Sequence, residues 1–572
     1  MSDGDFDFIV VGAGSAGCAL ASRLSENPGT RVLLIEAGPD TPPDNVPALI
    51  RDIGSRASTE PGWLWPGLLA EAKERPGSNA PGPLQRFEQA RVMGGGSSLM
   101  GMFALRGLPS DYDDWEGQGA AGWGWQGVLP YFKRLEHDLD RDGELHGKEG
   151  PVAIRRLEPE QWPPFCQAIG AALKTRGYRY VSDLNGEFAD GYGPAPMSNV
   201  PEHRVSSASA YLSAPVRARP NLRIVTDTTV ERLTVDGRRI IGVETIAQGN
   251  RIIYRACETI LSAGAIHSPA LMLRAGIGPA ADLGPLGIPM LADRPGVGRN
   301  LQNHPRVYAA IHLRACGRQP RVNRPVPQNT LRYSSGVPGC PPGDMLLQII
   351  NRTGWHRLGS SIAALVPAVY KPFSRGEVTL RSPDPRTEPS VRFRHLSDRR
   401  DHLRLIHGLR LSLDLLGDPA VAALGTEVFL PQTGDWVRRL GRSTLRNRLT
   451  AFAASILLDG PAPLRRRLIE RAGTPLADVP TDEESLEQVA FSTMGQMFHP
   501  AGTCRIGAAD DRMAVVDPTC RVYGVEGLRV VDGSVMPTVV SGNTNAAIVM
   551  IAEKGAEMIL KDGAQSQASL AA

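Results

Sequence analysis

The residues best equipped for chemistry lie near the C-terminus. His499-Pro-Ala-Gly-Thr-Cys-Arg-Ile-Gly507 carries an imidazole. Val531-Asp532-Gly533-Ser534 holds a carboxylate in a small-residue turn, and Ser541-Gly-Asn543-Thr544-Asn545 is a polar cluster opening an apolar helix. Imidazole, with an ordinary pKa near 6.5, is the natural proton acceptor at neutral pH. An amide beside it can donate to a developing negative oxygen while staying neutral itself. A lone histidine is more often a structural hydrogen-bonding group, so this cluster gains meaning only from what accompanies it.

The accompanying feature lies at the other terminus. Gly12-Ala-Gly14-Ser15-Ala16-Gly17 follows the apolar run Phe6–Val11 and opens a helical pattern from Ser15 to Leu24. Gly12 permits a tight turn, Gly14 lets a pyrophosphate approach the backbone, and Gly17 allows close helix–strand packing. Glu36 ends the next apolar run, 19 residues beyond Gly17, where a carboxylate accepts from ribose hydroxyls and repels a 2′-phosphate. Strand, turn, helix, strand and acid together read as a dinucleotide site. A second Gly-rich turn, Arg91-Val-Met-Gly94-Gly95-Gly96-Ser97-Ser98, offers a run of backbone N–H groups. Two cofactor-facing loops suit long, extended FAD better than NAD. A chain with cofactor chemistry at both termini must fold back on itself.

The bulk properties set the frame. At 572 residues the chain exceeds one compact core, which predicts two joined domains. A net charge of +3 gives no case for a nucleic-acid partner. The densest basic run, Arg465 to Arg471, reads as a solvated helix face. Seven cysteines without a CxxC pair argue against a disulfide framework or a metal site and fit a reducing cytoplasm. Neither a signal-peptide pattern nor a membrane-length apolar run is present.

The pattern along the chain predicts an α/β fold: a Rossmann-like cofactor domain with a mixed sheet-plus-helices substrate domain. Residues 1–155, 221–305 and 491–562 are assigned to the cofactor domain, with a lid at 38–90. Residues 156–220 and 306–490 are assigned to the substrate domain, and 563–572 to a flexible tail. Leu222–Val225, Thr229–Val235 and Ile240–Ala247 read as an antiparallel meander. Ser268 to Arg274 reads as a helix with Pro269 in its first turn, 317–343 as a loop, Met513–Val516 as a strand, and Asn545 to about Leu560 as the last helix.

Five blocks in order make the chain resemble the glucose-methanol-choline (GMC) flavoprotein oxidoreductases. They are the fingerprint through Glu36-Ala37-Gly38; Arg91 to Gly107; Gly264 to Gly278; Gly296-Val-Gly-Arg-Asn-Leu-Gln-Asn-His304; and the C-terminal block. Arg106 to Trp115, Gly122 to Phe132 and Leu145-His146-Gly147 look most like bacterial oxidases of 5-(hydroxymethyl)furfural and aryl alcohols. The resemblance implies that Ser15, Ala16, Glu36 and Ala37 lie on the ADP portion of FAD, and that Trp65 lies in the lid. It places Arg91, Gly94, Gly95, Ser97 and Ser98 along the pyrophosphate and ribityl chain, and Val230 at the adenine. Asp532 and Gly533 complete the phosphate region, and Asn543 and Thr544 lie near the isoalloxazine. Phe498 is expected beside the flavin. His499 and Asn543, 44 positions apart, match the family's catalytic pair: His499 takes the hydroxyl proton of an alcohol while hydride passes to the flavin, and O2 reoxidises it to give H2O2. Leu99 stands where members with covalent flavin carry histidine, so FAD is expected to be non-covalent. Use of a quinone acceptor, cyanohydrin cleavage, light-driven decarboxylation and non-catalytic FAD binding remain open alternatives. His304 is read as structural and Cys504 and Cys520 as packing residues.

Overall fold

The computed structural model describes residues 6–54, 56–74, 82–319, 326–432, 435–480 and 482–571. Phe6–Val11 pairs in parallel with Val32–Ile35 on one side and with the end of Asn250–Leu261 on the other. Leu528–Val530 extends the parallel sheet beyond that end. Helices cover these strands, and Ile9–Val11 and Val32–Ile35 form buried apolar runs within them. Asn250–Leu261 changes partners midway. Residues 250–255 lie antiparallel to 242–247, and 256–261 run parallel to the first strand.

Leu222–Val225 does not join the antiparallel meander. It lies parallel to Val32–Ile35 at the sheet edge. Asp227, at φ 50°, reverses the chain there, and the Asp227 and Thr228 amides donate to the Gly38 and Glu36 carbonyls. Only Thr228–Asp236 and Arg239–Ala247 form the predicted hairpin, which continues into Asn250–Leu261.

A second sheet has the order Gly473–Pro475, Gly425–Pro431, Ala309–Leu313, Ile362–Val369, Met345–Ile350, Asn329–Tyr333, Gly191–Pro194. Asn329–Tyr333 falls inside the predicted loop 317–343. All five of its residues are buried, so pairing and packing there override the surrounding Pro and Gly. The helix Arg399–Gly417 buries Leu405, Ile406 and Leu409 in the same core as Leu347 and Leu365. The short strand Pro305–Arg306 joins Ile362–Val369 to Gly495–Gln496. It thereby brings the mixed sheet up to the segment that precedes His499.

Three further expectations change. The helix at Pro269 starts five residues earlier, at Gly264, so the proline is internal. A mid-helix proline leaves the carbonyl four residues back without its N–H partner. Here Thr503 Oγ1 donates to that Ala265 carbonyl at 2.7 Å. Met513–Val516 is not a strand; Val516 makes only isolated bridges to Ile506 and Val522. The last helix runs Thr544–Ala571, through the expected tail, where Ala, Gln and Leu favour helix and no proline intervenes. All seven cysteines are unpaired, and no described helix is long and apolar enough to cross a membrane.

The chain folds back as its two half-sites require. The first helix packs on the last: Ser15 Oγ donates to Asn545 Oδ1 at 2.6 Å, and Arg23 grips Glu553 with two hydrogen bonds of 2.8 and 2.9 Å.

Candidate active site

The fingerprint turn has the steric character its glycines predict. A Cβ at Gly12 would sit 2.7 Å from the Ser262 carbonyl, and one at Gly17 would sit 1.9 Å from the Gly12 carbonyl. Gly14 meets nothing within 4 Å, so open space lies where a pyrophosphate would pass. The second Gly-rich turn docks directly on the first. The Gly94 amide donates to the Ala13 carbonyl at 2.7 Å, and a Cβ at Gly95 would sit 2.8 Å from Gly14 Cα. Ser97 and Ser98 bind the Gly94 and Met93 carbonyls, which shapes that turn. Glu36 accepts from the Ala13 amide at 2.8 Å and the Gly38 amide at 2.9 Å, and burial raises its pKa. It therefore braces the turn.

Arg91 has a buried Nε without a partner, and its guanidinium lies 5.5 Å from the Trp65 ring, which stacks on His267 at 4.2 Å. Two interlocked glycine turns with open space at Gly14 and an orphaned arginine nitrogen fit a dinucleotide such as FAD. Asp532 binds the Gly264 amide, Ser268 Oγ and the Ser534 amide. It thus ties the start of the Gly264–Arg274 helix to the turn at Gly533. Ala16 is buried, Ala37 half-buried at the end of its strand, and Val230 half-buried in the hairpin strand opposite Thr245. Phe498 is half-buried against Phe87 and shares a cluster with Trp65. Leu99 is buried in an apolar cluster with Ile50, Leu64 and Val92.

His499 and Asn543 do meet. Asn543 Nδ2 lies 3.2 Å from His499 Nε2, and Tyr370 Oη donates to Asn543 Oδ1 at 3.2 Å. Gln348 Nε2 donates to the Tyr370 hydroxyl at 3.3 Å. On its far side His499 Nδ1 lies 2.9 Å from His304 Nδ1. These contacts fix the directions of one chain of hydrogen bonds. With its oxygen committed to Tyr370, Asn543 presents its NH2 to His499, so Nε2 must be an unprotonated acceptor. The His499 proton then sits on Nδ1 and donates to His304.

Two side chains hold the pair in place. Asn303 Oδ1 accepts from the His499 amide at 3.0 Å and the His304 amide at 2.9 Å. Tyr370 stacks on His304 with ring centroids 4.2 Å apart. Desolvation, reinforced by the Arg306 charge, lowers the His499 pKa to about 3. Burial likewise holds His304 well below the usual histidine value. Both imidazoles are neutral at physiological pH, so the Nε2 lone pair is an acceptor, here for the Asn543 amide.

His304, Tyr370, Asn303 and Gln348 were not selected from sequence as site residues. His304 and Asn303 had a signal, since they close the Gly296–His304 block. Tyr370 had none beyond its place just after a strand. Cys504 and Cys520 are fully buried, with burial raising both thiol pKa values, as packing residues require.

A family model described as GMC oxidoreductase matches residues 6–306, and a second so described matches 372–552. The chain is 43% identical to the 5-(hydroxymethyl)furfural oxidase of Methylovorus sp. (strain MP688), over 98% of this chain and 99% of that protein. It is 32% identical to the oxygen-dependent choline dehydrogenase of Brucella suis biovar 1, over 97% of this chain and 95% of that protein. Among solved structures, pyridoxine 4-oxidase from Mesorbium loti superposes with a TM-score of 0.79 at 26% identity, covering 97% of this chain and 99% of that one. Two glycine cradles, a neutral histidine paired with an asparagine, and family matches spanning most of the chain agree: this protein belongs to the GMC oxidoreductase family.

Proposed function

We propose that the protein oxidises primary alcohols of aromatic or furanic type, and their hydrated aldehydes, using FAD and O2. The observation that carries this reading is the directed chain from Tyr370 through Asn543 to His499 Nε2, which leaves a neutral imidazole lone pair facing the asparagine amide. The family and the furfural-oxidase relative support the substrate class.

FAD, held by the Gly12–Gly17 and Gly94–Ser98 turns, would supply the two-electron acceptor of the oxidation and the route of those electrons to O2. The residues do the rest. His499 Nε2 takes the hydroxyl proton, and Asn543 Nδ2 donates to the oxygen as negative charge develops there. His304 accepts a hydrogen bond from the His499 Nδ1–H and keeps the imidazole in the tautomer that can act as base. Gly12, Gly14, Gly17, Glu36, Ala37, Arg91, Gly94, Gly95, Ser97, Ser98, Asp532, Gly533 and Thr544 are assigned to holding the cofactor. Leu99, an apolar residue where an attachment site would need a nucleophile, supports non-covalent binding. Acid precipitation is expected to release the yellow cofactor into the supernatant. The interleaved division into cofactor segments 1–155, 221–305 and 491–562 and substrate segments 156–220 and 306–490 is part of the same proposal, supported by the membership of the two sheets.

The test is anaerobic mixing with benzyl alcohol and hydroxymethylfurfural, followed by air. Flavin bleaching and then peroxide is the expected result. Reoxidation by a quinone without peroxide would make the protein a dehydrogenase. An oxidised flavin throughout, with cyanide released from mandelonitrile, would make it a lyase.

A further inference from the structure

The strand entering the site carries a charge that the reaction above does not use. Successive side chains of an extended strand alternate faces, so residues two apart share one. Pro305–Arg306 is the paired strand here, with His304 just before it and Tyr308 two residues beyond. His304 is fixed against His499 at 2.9 Å, and the Arg306 guanidinium lies 4.9 Å from the Tyr308 ring centroid. Two residues of strand rise place the guanidinium stem about 7 Å from the His304 position, roughly the width of one aromatic ring.

The ladder on either side confirms this placement. Arg306 is paired with Ala368 on one neighbour and Gly495 on the other. Two positions along the first of these, Tyr370 stacks on His304. Both residues flanking Arg306 are among the smallest available, so neither side chain covers it. A Cβ at Gly495 would lie 3.9 Å from Arg306 Nε, which shows the arginine stem lying across the glycine. That Nε is buried and makes no hydrogen bond, and among the described residues no carboxylate pairs with this guanidinium. Tyr308 meets the guanidinium without using its in-plane donors. A half-buried cation with an orphaned N–H, two residues along the chain from His304, is a carboxylate receptor.

We propose that Arg306 is an anion subsite of the substrate pocket and that the substrate it selects is an alcohol or hydrated aldehyde bearing a carboxylate across an aromatic or furan ring. The inference rests on the alcohol-oxidase reading for the reacting group. The two are separable, because the subsite binds unreactive carboxylates as well. The Arg306 charge also reaches His499 and Tyr370, disfavouring the protonated imidazole.

The experiment compares wild type, Arg306→Met and Arg306→Lys, each checked for FAD content. In the first arm, benzoate is titrated against the oxidised flavin spectrum. Saturable perturbation is expected in wild type, weakened roughly ten- to hundredfold in Arg306→Met, the loss of one charge-assisted contact. In the second arm, kcat/KM is measured for 4-(hydroxymethyl)benzoate and for benzyl alcohol. The carboxylate-to-neutral ratio is expected to fall by the same factor in Arg306→Met, mainly through KM. Arg306→Lys should recover part of it, keeping the charge without the planar fork. An unchanged ratio, or equal benzoate binding by wild type and Arg306→Met, overturns the subsite. Benzoate binding without oxidation of any alcohol would leave the subsite standing and overturn the function.

Discussion

At the scale of single residues, the site turns on one imidazole held neutral. His499→Ala is expected to slow flavin reduction by about 10² to 10⁴-fold with FAD still bound, because general-base assistance has that size. Anaerobic stopped-flow absorbance measures it, and a wild-type rate would remove His499 from the chemistry. Tyr370→Phe deletes the hydroxyl that orients Asn543 through its 3.2 Å bond. One hydrogen bond contributes about 0.5–1.5 kcal/mol, so a loss of up to roughly tenfold in kcat/KM is expected. The pH dependence is distinctive. With the His499 pKa lowered to about 3, kcat/KM should be flat from about pH 8 down to 5. An acid limb centred near 6.5 would show an ordinary, solvated histidine instead.

Buried polar devices lock the elements that carry these residues. Thr503, four positions after His499, supplies the hydroxyl that satisfies the Ala265 carbonyl left open by Pro269. Thr503→Val should cost about 1–3 kcal/mol through that orphaned acceptor, read as a lower denaturation midpoint. His146 bridges Glu136, Asp138 and Asp183, while Arg106 and Arg156 bind the same carboxylates. Glu136, Asp138 and His146 lie close enough to hold a metal ion, but the two guanidinium groups already supply the opposing charge. The acids raise the His146 pKa to about 10. His146→Ala removes one partner of a buried ion network and should destabilise by roughly 3–5 kcal/mol, measurable by chemical denaturation. The fingerprint element is equally intolerant: Gly17→Ala would drive a Cβ to 1.9 Å from the Gly12 carbonyl, and loss of bound FAD is the expected result.

For the whole molecule, pH stability follows from histidines shifted in opposite directions. Burial lowers the His312 and His395 pKa values to about 4 and that of His499 to about 3. The unfolded chain takes up these protons near pH 6.5 and the folded one does not, so stability falls as pH drops from about 6.5 through 4. His146, raised to about 10, acts the other way: its contribution is complete below about 6.5 and is lost as pH rises through 10. Denaturation midpoints across pH should therefore peak near neutrality, and the His146→Ala variant should lose the alkaline slope. Local patterns were legible wherever the cause was local: the Gly12–Gly17 turn, the apolar strands around it, the His499–Asn543 pair and the packing cysteines. Non-local causes were not. Leu222–Val225 moved to the far edge of the sheet because Asp227 turns the chain onto Glu36 and Gly38, and Asn329–Tyr333 became a buried strand only between two partners. The sequence by itself determined the family and the tight glycine turn, because glycine sterics belong to residue types and short spacings. Only the tertiary structure decided which groups meet His499: Asn543 at one ring nitrogen and His304 at the other. His304 and Tyr370 acquire their places beside it from pairing between segments distant in the chain, and that pairing has no signature in either of them.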